Sequence, residues 1–350
     1  MRTRKALVGA GAGKYEFVAN VEMPELKADT LLCKVFAIAL NPVDAKAADF
    51  SATPGSVGGF DFSGEVVEVG TEVKRFKIGD RVFASSFGLN PDDKSSGAFS
   101  EYSLTLEDLA CHIPDSIAFE AAATLGLSVG TAGCAISRYL GLPLLQNSNP
   151  EMTYVLVSGG ASASGSMAIQ FLRMSGFRPI ATCSPGNTKR LKSIGAIETF
   201  DYHSSRCGLE IRTYTENRLA FVLDCIATTE TMRMCYDAIG SAGGKYVTLN
   251  PPSTIVKYTR RDISVKHFVG HTMFGVPVRL SGIHARRATM LDRQCVAWLL
   301  LQVEGLLKDN FLHLPPFQIR QGGLNAIQYG IEDLRVGNTT GGVKLVYSLP

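Results

Sequence analysis

The stretch Tyr154–Gly176 constrains the fold of this chain more than any other. It reads Y-V-L-V-S-G-G-A-S-A-S-G-S-M-A-I-Q-F-L-R-M-S-G. A short apolar run predicts a buried strand, a turn of small residues follows, and apolar residues at helical spacing come next. Strand, glycine-rich turn and helix in this order bind phosphate, because the amides at the helix start face the anion. We therefore expect one unit of a nucleotide-binding sheet here, the alternative being an ordinary loop.

Small side chains in this turn lie where a pyrophosphate must approach the backbone. Gly159 permits a sharp exit from the strand, and Gly165 lets helix and strand pack closely. Ser162 stands where the G-x-G-x-x-G pattern has its middle glycine, so the pattern is imperfect. The predicted phosphate contacts come from Ala161, Ser162, Ala163, Ser164 and Gly165.

Length and composition indicate a globular protein of about two domains. The 350 residues are 45% hydrophobic and 19% charged, and the net charge of +3 gives no reason to expect nucleic acid or an anionic membrane. The longest apolar run, Cys295–Val303, is too short to span a bilayer. Lys14 and Glu16 interrupt the apolar patch near the N-terminus, which argues against a secretory signal. We expect a soluble cytoplasmic protein.

The cysteines and histidines give no indication of a metal site. The eight cysteines are scattered without a C-x-x-C pair, so we expect buried free thiols. Among the six histidines, His267 and His271 alone have helical spacing, and they lie in V-K-H-F-V-G-H-T, which reads better as a strand. Structural zinc needs Cys or His clustered at short spacings, so no metal is predicted.

Residues 1–125 are rich in short strands and turns. The clearest strands are Leu31–Ala39 and Phe60–Gly70, and numerous short strands with glycine turns predict a compact, barrel-like β unit. Helical sequence follows from Ala118 to Leu140, with a predicted break near Gly130. A loop at 143–150 then delivers the chain to the glycine turn.

Alternating strands and helices fill the region after the turn, and this alternation predicts a doubly wound parallel sheet. The alternation stops between Tyr246 and Phe274. A long helix, Ala288–Leu307, and a last strand, G-G-V-K-L-V-Y, complete the chain. That strand has no nearby partner, so we expect it to rejoin the first domain. The predicted fold class is α/β: a discontinuous β-rich domain, 1–125 and 276–350, with the parallel-sheet domain 126–275 inserted.

The end of the second strand of this sheet favours NADPH over NADH. An NAD site usually has Asp or Glu there to bind the ribose 2′-hydroxyl, and here the sequence is T-C-S-P-G-N-T-K-R. Hydroxyl, amide and cationic groups suit a 2′-phosphate, since charge-assisted hydrogen bonds to phosphate are strong. The alternative is that the cations lie on the solvated face of a helix. The predicted contacts are Ser184, Asn187 and Lys189, with Arg190 beside them and Tyr202 ending the third strand.

Taken together, these motifs resemble the medium-chain dehydrogenase/reductase superfamily along essentially the whole chain. The resemblance rests on L-N-P-V-D-A-K (Leu40–Lys46), G-F-D-F-S-G-E-V-V-E-V-G (Gly59–Gly70), G-D-R-V (Gly79–Val82), G-A-F-S-E-Y (Gly97–Tyr102) and the turn at 158–165. It implies a GroES-like catalytic domain and an inserted Rossmann domain. The zinc-dependent branch has Cys in the first motif and G-H-E in the second, so Asn41 and Phe60 place this chain with the zinc-free quinone and enoyl reductases.

Finer features resemble the trans-acting enoyl reductases of fungal polyketide biosynthesis. These are the turn G-A-S-A-S-G followed by M-A-I-Q, and R-P-I-A-T-C-S-P-x-N at 178–187. The resemblance implies reduction of an enoyl thioester on the acyl carrier protein of a polyketide synthase with NADPH. Ala45, in place of a bulky residue, and the serines of the turn depart from the pattern. We expect a monomer, because Lys266 and His267 blunt the edge Val265–Phe274 through which quinone-reductase relatives often dimerise.

The resemblance also implies site residues. Lys46 and Thr131 are expected at the nicotinamide. Lys46 either stabilises the enolate and donates a proton or only contacts the cofactor, and Thr131 either bonds the nicotinamide or thioester or bonds its own helix backbone. The further implied cofactor contacts are Val43, Asp44, Leu249, Asn250, Gly342 and Val343. A substrate cleft between the domains is expected to be lined by Thr131, His271, Thr272, Met273, Phe274 and Gly275.

Two other functions remain open from the sequence. A quinone or small-enone reductase with the same residues would accept free enones, whereas a trans-acting enzyme needs a tethered thioester. A non-catalytic NADPH-binding partner protein would bind the cofactor and reduce nothing. The presence of Lys46 and a complete phosphate turn argues against that third function.

Overall fold

The computed structural model describes residues 2–50, 53–145, 153–339 and 341–350. Part of the predicted loop at 143–150 lies outside the described residues. The strands are β1 Thr3–Gly9, β2 Tyr15–Glu22, β3 Thr30–Ala39, β4 Asp61–Val69, β5 Arg81–Ser85, β6 Tyr102–Leu106, β7 Ala110–His112, β8 Tyr154–Ser158, β9 Arg178–Cys183, β10 Glu198–Asp201, β11 Phe221–Asp224, β12 Gly244–Thr248, β13 Ile263–His267, β14 Phe317–Arg320 and β15 Lys344–Ser348. The α-helices are α1 Pro42–Phe50, α2 Phe119–Ala122, α3 Gly126–Cys134, α4 Ala163–Met174, α5 Thr188–Ser193, α6 Cys207–Tyr214, α7 Thr229–Ala238, α8 Thr254–Lys257, α9 Met290–Lys308 and α10 Gly323–Arg335.

The chain forms two units, 1–127 with 271–350, and 128–270. The predicted division placed 126–275 in the inserted domain, and residues 271–275 lie in the first unit instead. The reason is packing: the 3₁₀ segment Gly270–Phe274 follows β13, and its Phe274 ring stacks on Phe87 with centroids 5.3 Å apart. The pattern V-K-H-F-V-G-H-T predicted a strand, but strand β13 ends at His267.

The first unit is organised around a seven-stranded sheet of order β14-β15-β3-β4-β5-β7, with β6 pairing β3. The last strand rejoins this sheet as predicted, since β15 pairs antiparallel with β3 and parallel with β14. The apolar core of this unit includes Val35 and Ile38 of β3, Phe62 of β4 and Ile327 of α10, all of which are buried. Burial of such side chains stabilises the fold by roughly 25 cal/mol for each Å² of apolar surface removed from water.

The second unit is a six-stranded parallel sheet of order β10-β9-β8-β11-β12-β13. The order reverses beside β8, which lies between β9 and β11, so the switch point falls where the glycine turn follows β8. In open α/β sheets ligands bind outside the carboxyl ends of the strands at such a point. The predicted α/β fold class, with a β-rich domain and an inserted Rossmann domain, is confirmed.

The predicted helix break near Gly130 is wrong. Helix α3 runs unbroken through Gly130 and continues as a π-helical turn, Ala135–Leu140, ending at Gly141 in the left-handed conformation with a φ of 73°. A glycine in a helix costs about 1 kcal/mol relative to alanine, which does not by itself end a buried helix. The expectation that Cys295–Val303 is the longest apolar run is also wrong, because Phe119–Leu140 is long and apolar enough to cross a membrane by length and composition alone. However, 78% of its most apolar window is buried in the protein.

Candidate active site

The turn between β8 and α4 is folded closely against its own strand. Gly159 has a φ of 75°, a left-handed conformation that favours glycine. At Gly165 an added Cβ atom would lie 2.4 Å from the carbonyl oxygen of Gly159. A side chain at this position therefore cannot be placed without moving the helix away from the turn.

Ser162, which replaces the middle glycine of the dinucleotide pattern, caps helix α4. Its Oγ donates a hydrogen bond to the carbonyl of Gly159 at 2.8 Å and accepts one from the amide of Gly165 at 3.1 Å. The first four amides of a helix have no acceptor within the helix. Ser162 takes one of them, and the amides of Ala163 and Ser164, which have no acceptor within the helix itself, lie in a partly exposed part of the turn.

A guanidinium joins this turn to the loop after the second strand. Arg190 Nη2 donates to the carbonyl of Ala161 at 3.0 Å and to Asn187 Oδ1 at 3.1 Å, and Asn187 Nδ2 donates to Ser184 Oγ at 3.1 Å. Partial burial lowers the pKa of Arg190 from its ordinary value. Lys189 is exposed. Arg190 is therefore the cation bonded to the turn, and the contact of Lys189 with a 2′-phosphate stays a prediction. The two side chains differ because successive helix residues point in different directions.

Tyr202 lies just past β10, the third strand along the chain and an edge of the parallel sheet. The residue is 48% exposed, and its ring lies 4.1 Å, centroid to centroid, from the ring of His203. A partly exposed aromatic ring can offer a face on which a planar group stacks. The expected contact of Tyr202 with the adenine or the phosphate of the cofactor stays a prediction.

The far side of the switch point is shaped by Asp224, at the end of β11. Its carboxylate accepts hydrogen bonds from the amides of Ile226 and Ala227 and from the hydroxyl of Tyr246. Leu249 and Asn250 follow the neighbouring strand β12, with the Leu249 amide bonding the carbonyl of Asp224 at 3.2 Å. Both predicted contacts therefore lie at the carboxyl edge of the sheet, where the phosphate turn also lies.

Thr131, which was predicted to lie at the nicotinamide, is in the middle of helix α3. It is 8% exposed. Its Oγ1 is 3.9 Å from where a Cβ atom on Gly270 would lie, just beyond β13. The hydroxyl is therefore near the end of the unit's edge strand rather than at a helix break.

Lys46 lies on the exposed face of helix α1 in the first unit. Desolvation by the surrounding protein lowers the pKa of its ammonium below the ordinary value. Val43, at the start of the same helix, is partly exposed. Lysine with a lowered pKa is a better proton donor than a free one, since its proton is held less tightly near neutral pH.

The other predicted residue of α1, Asp44, is fully buried and does not present its carboxylate at the surface. Its Oδ2 accepts a hydrogen bond from the Asn41 amide at 2.6 Å, which caps the helix. Burial raises the pKa of Asp44 to about 8. The expected contact between this side chain and the cofactor has no support in the structure, because the carboxylate is already used to begin the helix.

A buried ion pair, which the sequence did not predict, lies beside this cap. Lys344 Nζ donates to Asp61 Oδ2 at 2.7 Å and to Asn41 Oδ1 at 2.9 Å. Asn41 Nδ2 also donates to Asp61 Oδ2, and the amide of Leu127 donates to Asp61 Oδ1. Lys344 opens β15, so the end of the chain holds the start of the helix that carries Lys46. Only the motif residue Asp61 hinted at this pair.

Residues 271–275 pack against an aromatic cluster of the first unit. The buried His271 ring lies 5.1 Å from Phe60 and 5.0 Å from Phe87, and burial lowers the pKa of His271 to about 3. Thr272 Oγ1 donates to buried Asp292 Oδ2 at 2.6 Å. Met273 and Phe274 are buried, and Gly275 is in the left-handed conformation. Of this set the His271 Nε2 atom is buried without a hydrogen-bond partner among the described residues.

The last predicted contacts, Gly342 and Val343, lie just before β15 and are partly exposed. Gly342 has a φ of 85°, so the chain makes a left-handed turn immediately before Lys344 enters the buried ion pair. Gly341, their neighbour, is exposed. Backbone groups of this turn remain accessible at the surface of the first unit.

The chain matches two family models and is similar to proteins that carry the name trans-enoyl reductase. The alcohol dehydrogenase GroES-like domain matches residues 27–115, and the zinc-binding dehydrogenase model matches residues 163–278. A trans-enoyl reductase of Gibberella fujikuroi is 49% identical over 346 residues, covering 99% of each chain. The trans-enoyl reductase grgB of a Penicillium species is 46% identical, covering 96% of this chain and 95% of its own.

Solved structures match the whole chain at lower identity and so compare the fold alone. The CurK enoyl reductase superposes with a TM-score of 0.77 at 18% identity, each chain being covered completely. The quinone oxidoreductase from Coxiella burnetii superposes with a TM-score of 0.72 at 23% identity, again with complete coverage of both.

The residues present do not fit the zinc ion that the second family model's description mentions. Zinc needs sulfur, imidazole or carboxylate ligands. Phe60 has no ligand atom, the amide of Asn41 bonds Asp61, and the Lys344 ammonium already neutralises Asp61. Among the described residues no group of three or more His, Cys, Asp or Glu side chains is arranged to hold a metal ion.

Proposed function

We propose, on the premise that this chain belongs to the trans-enoyl reductases of the medium-chain dehydrogenase/reductase superfamily, that it reduces the α,β-double bond of an enoyl thioester with NADPH. The thioester is carried on the acyl carrier protein of a polyketide synthase. The observation that carries the proposal is the open phosphate turn of Ser162–Gly165 in a chain that is 49% identical to a trans-enoyl reductase over its whole length.

The cofactor is proposed to lie along the carboxyl edge of the parallel sheet. The amides of Ala163 and Ser164 would bind its pyrophosphate, and the first turn of α4 adds the positive end of the helix dipole. Ser184, Asn187 and Arg190 would surround the 2′-phosphate, for which the half-buried guanidinium offers a charge-assisted bond. Tyr202 would stack on the adenine, and Leu249 and Asn250 would border the nicotinamide ribose.

The bound dinucleotide supplies a hydride to the β-carbon of the substrate. What remains for the chain is to polarise the thioester carbonyl, stabilise the enolate and protonate the α-carbon. Lys46, whose ammonium has a lowered pKa, is the proposed donor of that proton. Thr131 would orient the nicotinamide carboxamide. Val43 and the backbone at Gly342–Val343 would border the ring, and the apolar surface of 271–275 would accept the acyl chain.

The test is NADPH consumption with an enoyl thioester on its carrier protein, beside a free quinone and a free small enone. Turnover with the tethered thioester and little with the free compounds supports the proposal. Equal or faster turnover of free enones would make the protein a quinone or enone reductase, and tight NADPH binding without any reduction would make it a binding protein.

Lys46→Ala distinguishes a proton donor from a cofactor contact. We expect kcat to fall by about 10² to 10⁴, the usual contribution of a general acid, with the NADPH dissociation constant changed less than threefold or so. Lys308→Ala, at an exposed lysine in the last turn of α9, is the matched control and should leave both values unchanged. A change in NADPH affinity alone would show that Lys46 only contacts the cofactor.

A further inference from the structure

The loop between β11 and α7, residues 225–228, is held in place by one buried carboxylate. Oδ1 of Asp224, the last residue of β11, accepts hydrogen bonds from the amides of Ile226 at 3.0 Å and Ala227 at 2.9 Å. Asp224 is fully buried. A buried polar group that loses its partner is costly, so these bonds constrain where the loop backbone can run. The carboxylate therefore fixes the course of the loop.

The other oxygen of Asp224 is bonded to the body of the second unit. Oδ2 accepts hydrogen bonds from the hydroxyl of Thr231, in the first turn of α7, at 2.9 Å and from the hydroxyl of Tyr246, on β12, at 2.8 Å. Tyr246 is itself fully buried. The carboxylate thus has two sets of donors, one in the loop and one in the helix and strand behind it.

Ala227 has a strained backbone conformation. Its φ is 60°, in the left-handed region that residues with a Cβ atom rarely adopt. Such a conformation persists only where the surroundings over-determine it, and the hydrogen bond from the Ala227 amide to Asp224 is one such constraint. Residues strained in this way cluster at functional sites, where the strain serves to position a group. The question is therefore what this loop positions.

The loop contacts both the phosphate turn and a residue at the nicotinamide side. The Ile226 side chain lies over the turn, since a Cβ atom added to Gly159 would be 2.5 Å from its Cγ1. The Ile226 carbonyl accepts a hydrogen bond from Asn250 Nδ2 at 2.9 Å. The amide of Cys225 donates to the carbonyl of Ser158, the last residue of β8, at 3.0 Å. One short loop therefore joins the turn to the residue proposed to border the nicotinamide ribose.

We propose that Asp224 is a positioning residue for the nicotinamide half of the cofactor, acting through the backbone of the loop 225–228. By holding Ala227 in the left-handed conformation, it sets Ile226 against the phosphate turn and fixes the side chain of Asn250. The adenosine half binds on the other side of the switch point and does not depend on this loop. This inference rests on the proposed binding of NADPH along the carboxyl edge of the sheet.

Ala227→Val tests the loop without altering the buried carboxylate. A β-branched side chain does not tolerate a φ of 60°, so the loop must leave its place. We expect the dissociation constant of NADPH to rise about tenfold, and kcat with the carrier-bound enoyl thioester to fall about tenfold or more, because the nicotinamide is no longer well oriented. The dissociation constant of 2′,5′-ADP, which contains only the adenosine half with its phosphates, should change less than about twofold.

Glu216→Val is the matched control for backbone strain. Glu216 has a φ of 53°, and it lies in the segment that leads into β11, near the amino end of that strand. The same β-branched residue in the same backbone conformation should lower the melting temperature to a similar extent. The affinity for NADPH and kcat should both remain those of the unaltered protein, because ligands of such sheets bind at the carboxyl ends of the strands.

Two substitutions of Asp224 separate its hydrogen bonds from its packing. Asp224→Asn keeps one oxygen that can accept the loop amides, whereas Asp224→Leu has a similar shape and accepts nothing. Asp224→Leu should reproduce the tenfold or so loss of NADPH affinity, and Asp224→Asn should recover most of it. Tyr246→Phe removes a donor to the other oxygen only, so it should lower the melting temperature while the ratio of the NADPH and 2′,5′-ADP affinities stays constant.

The outcomes separate this inference from the proposed function. An NADPH affinity of Ala227→Val equal to that of the unaltered protein would overturn the role of the loop. Equal losses of affinity for NADPH and 2′,5′-ADP would overturn it too, since a merely weakened fold affects both halves of the site alike. If Asp224→Leu does not fold, Ala227→Val and its control decide. No NADPH binding by the unaltered protein would overturn the proposed function itself.

Discussion

Each of the two units contains a helix that begins shortly after a buried strand. The two helix starts differ in which of their backbone amides are already hydrogen-bonded by side chains. At α1 the chain fills the helix start with a side chain of its own, since the buried Asp44 carboxyl group accepts the Asn41 amide there. At α4 the neutral hydroxyl of Ser162 takes the Gly165 amide and leaves the remaining first-turn amides accessible. A helix start attracts anions wherever it occurs. Whether it can bind a ligand depends on whether a side chain of the protein already occupies it. We call the start of α1 the closed start and the start of α4 the open start.

The closed start should respond to mutation as a structural element. Lys344→Met removes the cation that neutralises Asp61, and the lysine is 7% exposed. Breaking a buried pair by removing one partner costs about 3 to 5 kcal/mol, because a buried charge is left uncompensated. We expect a loss of this size in the free energy of unfolding, measured by chemical denaturation. The double variant Lys344→Met/Asp61→Leu should recover part of it, and a fully stable single variant would contradict the account.

The open start should respond as a binding site. Gly165→Ala places a Cβ atom against the Gly159 carbonyl and pushes α4 away from the turn. We expect NADPH affinity to fall at least a hundredfold or so, about 2.7 kcal/mol, in a fluorescence titration. Gly305→Ala is the matched control, since a Cβ atom there meets nothing within 4 Å. Unchanged NADPH binding by Gly165→Ala would remove the phosphate site from this turn.

A pH titration compares the two starts again, because only the closed one holds a carboxylate. The pKa of Asp44 is raised by burial, from 3.8 to about 8, so the folded protein binds the proton more tightly than the unfolded chain. Stability from this group is complete below about pH 4 and is lost as pH rises towards 8, by at most about 1.4 kcal/mol per pH unit.

Asp44→Asn, which keeps an acceptor for the Asn41 amide and cannot ionise, should remove that slope. Denaturation curves recorded from pH 4 to pH 8 measure it. An identical slope in both proteins would mean that Asp44 does not carry the raised pKa.

The smallest expected effect concerns the cations beside the open start. Arg190 contacts the turn at the Ala161 carbonyl, whereas Lys189 is exposed on the next position of the same helix. We expect Arg190→Met to reduce the preference for NADPH over NADH about tenfold in kcat/KM, and Lys189→Met to change it about twofold or less. The reverse order would favour the original expectation for Lys189.

Much of the site could be read from the sequence because it lies in local segments. The order of strand, small-residue turn and helix around Gly165, and the lack of an acid after β9, depend on neighbours in the chain. The choice between Lys189 and Arg190 could not be read, since it depends on helix phase. The closed start could not be read either, because Lys344 and Asp61 are far apart in sequence and pair only through β15, β3 and β4.

What the sequence by itself determined is the fold class, the two-part chain and the site of the phosphate turn, since all three follow from short-range periodicity and turn chemistry. Tertiary structure alone decided which helix start is open. It buried Asp44 beneath Asn41, paired the end of the chain with Asp61, and set the ring of His284 on α1 one turn from Lys46. The last two contacts join residues distant in sequence, and the energies of all three depend on burial, which no local pattern records.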